Sequence, residues 1–334
     1  MQALPVHDVS QVAEARRGAA ALAQRMGFSE EETGRVAIVA TELATNLVKH
    51  GGGGELLVGD FEDGTGEGIE CLALDRGPGM ADVDACLRDG YSTTGTAGTG
   101  LGAVARQSQF VDIFSRPGLG TAALARLQRG RRRKTASPDL DPAFGAVSLP
   151  KAGEEACGDS WSAKPHPNGL TLMVVDGLGH GPLAAEAAHA ASAVFSRCHE
   201  RAPAEIIDRI HGALRATRGA AVSVARLDLG RTCVHFAGIG NVAGTLIAGP
   251  MVRKMVSHNG TVGHAMKRIQ EFTYDFVGTP LVILCSDGLG TSWALDRYPG
   301  LAMRHPSLIA GVLYRDFTRG RDDVTVLVGT GGRA

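Results

Sequence analysis

The chain has few aromatics, no paired cysteines and no surplus of charge, and each shortage removes a class of function. Aromatic residues make up 5% of the 334 positions, too few for the stacking platforms on which single-stranded nucleic acids lie. Lys plus Arg number 34 against 35 Asp plus Glu, a net charge of -1, so the chain is not built to neutralise a phosphate backbone. The six cysteines (Cys71, Cys86, Cys157, Cys198, Cys233 and Cys285) are scattered without a CxxC pair. That spacing excludes a Cys-rich zinc site and argues against a disulfide framework. No apolar run reaches the roughly 18 to 20 residues that span a bilayer. Residues 1–10 lack a basic stretch followed by an apolar one, so no secretory signal is expected. The expectation is a cytoplasmic, reduced protein with neither nucleic acid nor membrane as partner.

What the chain does have is length and glycine. A core of one ordinary domain does not accommodate 334 residues, so two domains are expected. The 46 glycines fall in a few short stretches, which points to loops built from bare backbone. The clearest boundary is QRGRRRKTASPDLDP at 128–142, basic, polar and interrupted by proline. Such a stretch buries too little apolar surface to order itself. Arg131, Arg132, Arg133 and Lys134 are read as a solvated tether rather than as a contact for an acidic partner. Domains over 1–127 and 143–334 follow, joined loosely enough that each half would keep its chemistry when separated.

In the first half, Ser10 is expected to cap a helix over 10–24, and Ser29 with Glu32 forms an S-x-x-E capping box. The helix that follows carries Val36, Val39, Ala40, Leu43 and Leu47 on one face and stops at the glycines of 51–54. Strands are expected at 55–61, 69–75, 111–115 and 121–127, with a short helix from Leu101. In the second half, strands are expected at 170–176, 221–227, 232–238, 281–287 and 324–329, and helices over 182–200 and 204–216. The expected elements make an α+β chain in two domains.

Glu42 and Asn46 lie four residues apart on the expected helix and share a face, with His50 a turn further on. A carboxylate and an amide displayed together suit a hydrated divalent cation and a hydroxyl. Asp75, Gly77 and Gly79 form a DxGxG at the end of an apolar strand, where a buried carboxylate can accept a hydrogen bond from an exocyclic amine. STTGTAGTGLG at 92–102 opens a helix, and its unblocked amides suit phosphates. The segments ELATNLVKHG (42–51), DRGPG (75–79) and DGYSTTGTAGTGLGAVAR (89–106) together resemble the GHKL, or Bergerat-fold, ATPases. Among these they are most similar to the RsbT-type switch serine kinases of bacterial partner-switching pathways. The resemblance covers about 30–127 and implies an α/β sandwich that binds Mg²⁺ and ATP. It implies that Asn46 meets the Mg²⁺ of Mg·ATP, that Glu42 is the catalytic base and that Asp75 reads adenine. Gly77, Gly79, Thr94, Gly98, Thr99, Gly100, Leu101 and Gly102 would line the nucleotide, with His50 beside them.

The second half offers carboxylates at several strand ends: Asp159 in CGDS, Asp176 in VVDGLGHG, Asp287 in LCSDGLG and the pair Asp322-Asp323 in RDDVTVLVG. Hard divalent cations take oxygen ligands, and a two-metal hydrolase needs carboxylates converging from different segments. In this order the motifs resemble the PPM-type serine/threonine phosphatases of the short SpoIIE/RsbX-like branch, over about 145–330. The resemblance implies an α-β-β-α sandwich holding two Mn²⁺ or Mg²⁺ ions. It implies that Asp176 is the bridging ligand, that the Gly177 carbonyl, Asp159, Asp287 and Asp322 complete the shell, and that a metal-bridging hydroxide attacks phosphorus in line. Asp323 ranks below Asp322 as a ligand. Ser160-Trp161-Ser162 departs from the many relatives that carry another Asp there. His180 and His264 are read as structural, ahead of roles as an acid or a phosphate contact. The implied whole is a protein kinase fused to the phosphatase that reverses it, acting on Ser or Thr of a STAS-domain regulator of the anti-sigma-antagonist type. The alternative is a first half that only binds, holding a sigma factor or another output protein in an ATP-dependent way.

Overall fold

The computed structural model describes residues 1–64, 66–87, 100–130, 143–266 and 268–331. Its first elements are β1 (Gln2–Val6), α1 (Val9–Arg25), α2 (Glu30–Lys49), β2 (Gly54–Asp63), β3 (Gly66–Asp75), α3 (Val83–Leu87), α4 (Gly100–Gln107), β4 (Phe110–Ser115) and β5 (Thr121–Gln128). Then follow β6 (Ala143–Leu149), β7 (Asp159–His166), β8 (Gly169–Gly177), α5 (Pro182–Cys198), α6 (Pro203–Leu214) and β9 (Ala220–Asp228). The remainder comprises β10 (Cys233–Ile239), β11 (Ala243–Ala248), β12 (Met251–Met255), β13 (Phe272–Asp275), β14 (Pro280–Cys285), α7 (Pro306–Phe317) and β15 (Val324–Thr330). The chain divides into two compact units, Met1–Ala136 with Ala294–Arg315, and Ser137–Trp293 with Asp316–Ala334. The first unit thus takes up a segment, 294–315, that the motif reading places in the second half.

The first unit is built on an antiparallel sheet of order β1-β2-β3-β5-β4. Ile69, Cys71 and Ala73 of β3 face the helices and share a core with Val36, Val39, Leu43 and Leu47 of α2. The alternate residues Glu70, Leu72 and Leu74 face the other way and are buried too. There they meet α7, in which every residue from Pro306 to Arg315 is buried. A Cβ on Gly311 would stand 2.6 Å from Leu72 Cδ2 and 3.1 Å from Leu74 Cδ2, so glycine lets the helix lie close. Both faces of β3 being covered explains why 69–74 reads as a nearly continuous apolar run without alternation.

The same segment closes a buried polar network. Arg126, 5% exposed, donates to Glu70 Oε2 at 2.7 Å and to Asp63 Oδ2 at 2.6 Å. Ser307 Oγ completes the set by donating to Glu70 Oε2 at 2.8 Å. Tyr314 donates to Glu55 at 3.0 Å, and Arg304 to Asp112 at 3.0 Å. A buried pair of this kind stands only when its remaining donors and acceptors are met, and Ser307 meets one of them.

Three local readings change. The cap of α1 is Asp8, in a capping box with Gln11, while Ser10 lies inside the helix and donates to Asp8 Oδ1 at 2.5 Å. D-x-x-Q satisfies the same orphan amides as S-x-x-E. Strand β1, which periodicity did not reveal, pairs with β2 as an edge. The start of the basic stretch belongs to the first unit: β5 runs through Gln128, Arg129 N donates to Glu67 O at 3.1 Å, and Gly130 N donates to Glu32 Oε1 at 2.9 Å. Arg131, Arg132, Arg133 and Lys134, with the rest of the tether, lie outside the described residues.

The second unit stacks two antiparallel sheets, β13-β10-β9-β8-β7 and β12-β11-β14-β15-β6. Leu170, Leu172, Val174, Leu246, Val282, Leu284 and Leu327 fill the space between them. α5 and α6 cover the outer face of the first sheet through Met173, Val175, Val222 and Val224. The stacked sheets are those of the sandwich that the resemblance implies, with α5 and α6 as its outer helical layer on this side. Strand pairing sets the candidate ligands: Asp159 opens β7 directly opposite Asp176 near the end of β8, while Asp287 follows β14 and Asp322 precedes its neighbour β15. No described helix is long and apolar enough to cross a membrane.

Candidate active sites

On α2, Glu42 and Asn46 lie one turn apart and half-buried, next to the start of α4. A Cβ on Gly100 would stand 3.0 Å from Glu42 Oε2 and 3.6 Å from Asn46 Oδ1, so a bare backbone brings the α4 N-terminus onto this pair. Asn46 Nδ2 is buried and has no hydrogen-bond partner among the described residues. A buried amide left unpaired costs free energy unless a ligand meets it. Together with the amides at the start of α4, this donor fits an oxygen-rich anion, and Asn46 Oδ1 is the atom a cation would take. Leu101 is partly buried with its side chain packed on the core, and Gly102 is buried. Thr94, Gly98 and Thr99 lie outside the described residues.

Asp75 ends β3 and is 8% exposed. Its Oδ1 accepts from Gly77 N at 2.8 Å and from Thr121 N at 3.0 Å. Its Oδ2 has no hydrogen bond among the described residues. Burial pushes its pKa up, against the lowering effect of those amides and of Arg315. A Cβ on Gly77 would stand 2.8 Å from Gly51 Cα and 2.9 Å from His50 O, so the DxGxG turn and the end of α2 pack backbone on backbone. Gly79 adopts φ +73° against the carbonyl of Arg116, a place no side chain fits. His50 caps α2 and is exposed. Glu42, Asn46, the Asp75 turn and the α4 N-terminus are therefore gathered along the C-terminal half of α2.

The second site is a repelling set of carboxylates. Asp159 is 6% exposed, and its pKa is pushed up to about 7, chiefly by burial and then by Asp323 and Asp287. Asp176 is pushed up to about 8 by burial and by the charges of Asp159, Asp287 and Asp322. Among the described residues no three or more His, Cys, Asp or Glu side chains are gathered closely enough to hold a metal ion as they stand. Even so, hard oxygens whose mutual repulsion a divalent cation would relieve are the donor set that Mg²⁺ or Mn²⁺ takes. Gly177 N donates to Gly158 O at 3.1 Å, and a Cβ on Gly177 would run into the carbonyl of Ala184.

Tertiary structure adds two supporting residues that the sequence reading did not single out, Ser286 and Asn241. Ser286 Oγ donates to Asp159 Oδ2 at 2.6 Å and accepts from Thr325 N at 2.9 Å. Asn241 Nδ2 donates to Asp287 Oδ2 at 2.7 Å. Asp323 is buried, with Oδ1 accepting from Lys151 N at 2.8 Å and Oδ2 from Gly158 N at 2.9 Å. Both of its oxygens hold loops, whereas Asp322 beside it is exposed. His264 Nε2 lies 2.9 Å from the carbonyl of Thr217, a structural bond, and His180 Nδ1 lies 2.6 Å from Glu154 Oε1.

Both parts of the chain resemble known proteins. The histidine kinase-like ATPase domain family matches residues 6–125. The chain is 32% identical over 100 residues to the serine/threonine-protein kinase RsbT of Bacillus subtilis (strain 168), covering 30% of this chain and 75% of RsbT. It is also 32% identical over 94 residues to the phosphoserine phosphatase RsbX of the same organism, covering 28% of this chain and 47% of RsbX. Among solved structures, a chain described under the bacterial stressosome, a modular system adapted to control secondary messenger signaling, superposes with a TM-score of 0.53 at 26% identity, over 57% of this chain and 99% of that one. RsbX in complex with magnesium superposes with a TM-score of 0.52 at 23% identity, over 59% of this chain and 98% of that one, a likeness of fold. The first part of the chain thus belongs to the histidine kinase-like ATPase family of RsbT, and the second part shares the fold of RsbX and resembles about half of its sequence.

Proposed function

We propose that the first unit phosphorylates a Ser or Thr of a STAS-domain protein of the anti-sigma-antagonist type, and that the second unit removes the same phosphate, in the cytoplasm. The observation that carries this reading is the presence in one chain of two chemically opposed donor sets. One is the Glu42–Asn46 pair at the α4 N-terminus; the other is the quartet Asp159, Asp176, Asp287 and Asp322. The likeness to a stressosome chain supports a protein partner from such a system.

In the first unit Asn46 would hold Mg²⁺ with the ATP phosphates. Glu42, on the same face and next to the same glycine, takes the proton of the substrate hydroxyl. Asp75 accepts the exocyclic amine of adenine through Oδ2, its Oδ1 being held by two amides. The backbone of Gly100 to Gly102 faces the phosphates, and Gly77 and Gly79 keep side chains away from the base. In the second unit Asp176, Asp159, Asp287, Asp322 and the Gly177 carbonyl would hold two Mn²⁺ or Mg²⁺ ions, which supply Lewis acidity and an activated water. Ser286 and Asn241 orient the ligands they touch.

The test separates the two activities in the full chain. The Asp176→Asn variant, given Mg·ATP and a cognate STAS protein, is expected to phosphorylate it. The Glu42→Gln variant, given the phosphorylated STAS protein and Mn²⁺, is expected to dephosphorylate it until a chelator is added. Absence of transfer by Asp176→Asn would leave the first unit a nucleotide-dependent binding module, and turnover in chelator would refute the two-metal site.

A further inference from the structure

Arg315 is the last residue of the segment that the first unit takes from the far end of the chain. It is 6% exposed, and it reaches the edge of the nucleotide site. Its Nη1 donates to the backbone oxygen of Asp75 at 2.7 Å and lies 3.5 Å from the backbone oxygen of Thr121. Asp75 and Thr121 are the last register pair of the β3–β5 ladder at this end. They are also the pair joined by the bond from Thr121 N to Asp75 Oδ1 at 3.0 Å. The guanidinium therefore holds through their carbonyls the same two residues whose amide and carboxylate meet on the ligand side. Both contacts come from one nitrogen of a planar guanidinium that stays charged and has no proton to lose.

We infer that Arg315 is a positioning residue for nucleotide recognition: it pins the ends of β3 and β5 so that Asp75 keeps one oxygen fixed and the other free for an adenine amine. This rests on the reading of Asp75 given above. Binding sites tolerate little displacement of the groups that read a ligand, and such groups depend on supporting bonds behind them. The end of a strand has no further ladder to supply that support, and Arg315 does. Its positive charge also opposes the upward push that burial exerts on the Asp75 pKa. The residue belongs in sequence between β14 and β15, among the phosphatase motifs, so recognition of ATP would depend on both halves of the chain.

The experiment titrates ATP and, separately, GTP with Mg²⁺ into full-length parent and variants by calorimetry, below the melting midpoint of each. Arg315→Met, which keeps the packed stem and loses the donors, is expected to raise the Kd for ATP about tenfold while leaving the weak binding of GTP unchanged. Arg315→Lys restores one donor and is expected to recover most of the ATP affinity. Tyr314→Phe removes another bond of the same segment, to Glu55, and is expected to lower the melting temperature without changing either Kd. If Arg315→Met does not fold, Arg315→Gln is measured the same way with the same expectation. Parent affinity in the Arg315 variant, or equal losses in Tyr314→Phe or for GTP, would overturn the inference. Asp75→Asn separates the two ideas. Loss of ATP binding there with none in Arg315→Met sinks the positioning role alone, whereas parent affinity in Asp75→Asn sinks the adenine assignment and this inference with it.

Discussion

Asp159 and Asp176 face each other across β7 and β8, and their raised pKa values, about 7 and about 8, set a sign for pH dependence. A carboxylate whose folded pKa exceeds its unfolded one binds protons more tightly when folded. In metal-free protein these two groups therefore favour the fold at acid pH, and that stabilisation is lost as pH rises through the folded values. A divalent cation takes the place of the protons. The difference in melting temperature between Mn²⁺-loaded and chelated protein is expected to grow from about pH 6 to about pH 8, and a difference that stays flat would contradict the carboxylate cluster. Ser286→Ala removes the hydroxyl that orients Asp159, and Mn²⁺ affinity is expected to fall about 10- to 100-fold. Unchanged affinity by calorimetry would show that the bond is incidental. The aspartates themselves were legible because each stands in a short motif with glycine or threonine. Ser286 sits inside one of those motifs, but its bond to a residue 127 positions away is a tertiary fact. Asp323 ranks below Asp322 as a ligand in the sequence, and the fold adds that its two oxygens accept from the amides of Lys151 and Gly158.

At the scale of elements, legibility followed periodicity and caps. Helix α2 was plain from its capping box and its apolar stripe, and β3, β5, β8 and β9 from apolar runs. Strands β7 and β12 were not, because DSWSAKPH and MVRKM are polar and half-exposed. Helix α7 also escaped: it is buried on all sides over Pro306–Arg315, so it carries no amphipathic period to detect. Its fit depends on Gly311, where the helix meets Leu72 and Leu74. Gly311→Leu is expected to cost about 1 to 3 kcal/mol by overpacking, read as a lower midpoint in denaturant. A midpoint at the parent value would mean that the segment is loosely seated. The Glu42–Asn46 pair was legible from helical spacing, whereas the approach of Gly100 to it had to come from the fold.

For the whole molecule, a tether alone does not describe the chain, since the first unit includes residues 294–315. A fragment over 1–130 would leave Leu57, Leu72, Leu74, Phe114 and Leu124, buried on the sheet face opposite α1 and α2, without that segment, and would open the Glu70–Arg126 pair. Exposing a patch of this kind favours association. The fragment is expected to be aggregated or to melt well below the full chain by circular dichroism, and a monomer with a parent-like melt would contradict the assignment of 294–315 to the fold. On the proposed reading, two opposed activities in one chain make sense if they share a target, and that is the claim most open to direct test. Phosphosite mapping by mass spectrometry of one STAS protein, treated first with the Asp176→Asn chain and Mg·ATP and then with the Glu42→Gln chain and Mn²⁺, addresses it. The expected result is a single Ser or Thr that gains phosphate in the first step and loses it in the second; a residue marked by the first chain and left untouched by the second would contradict the opposed-switch reading.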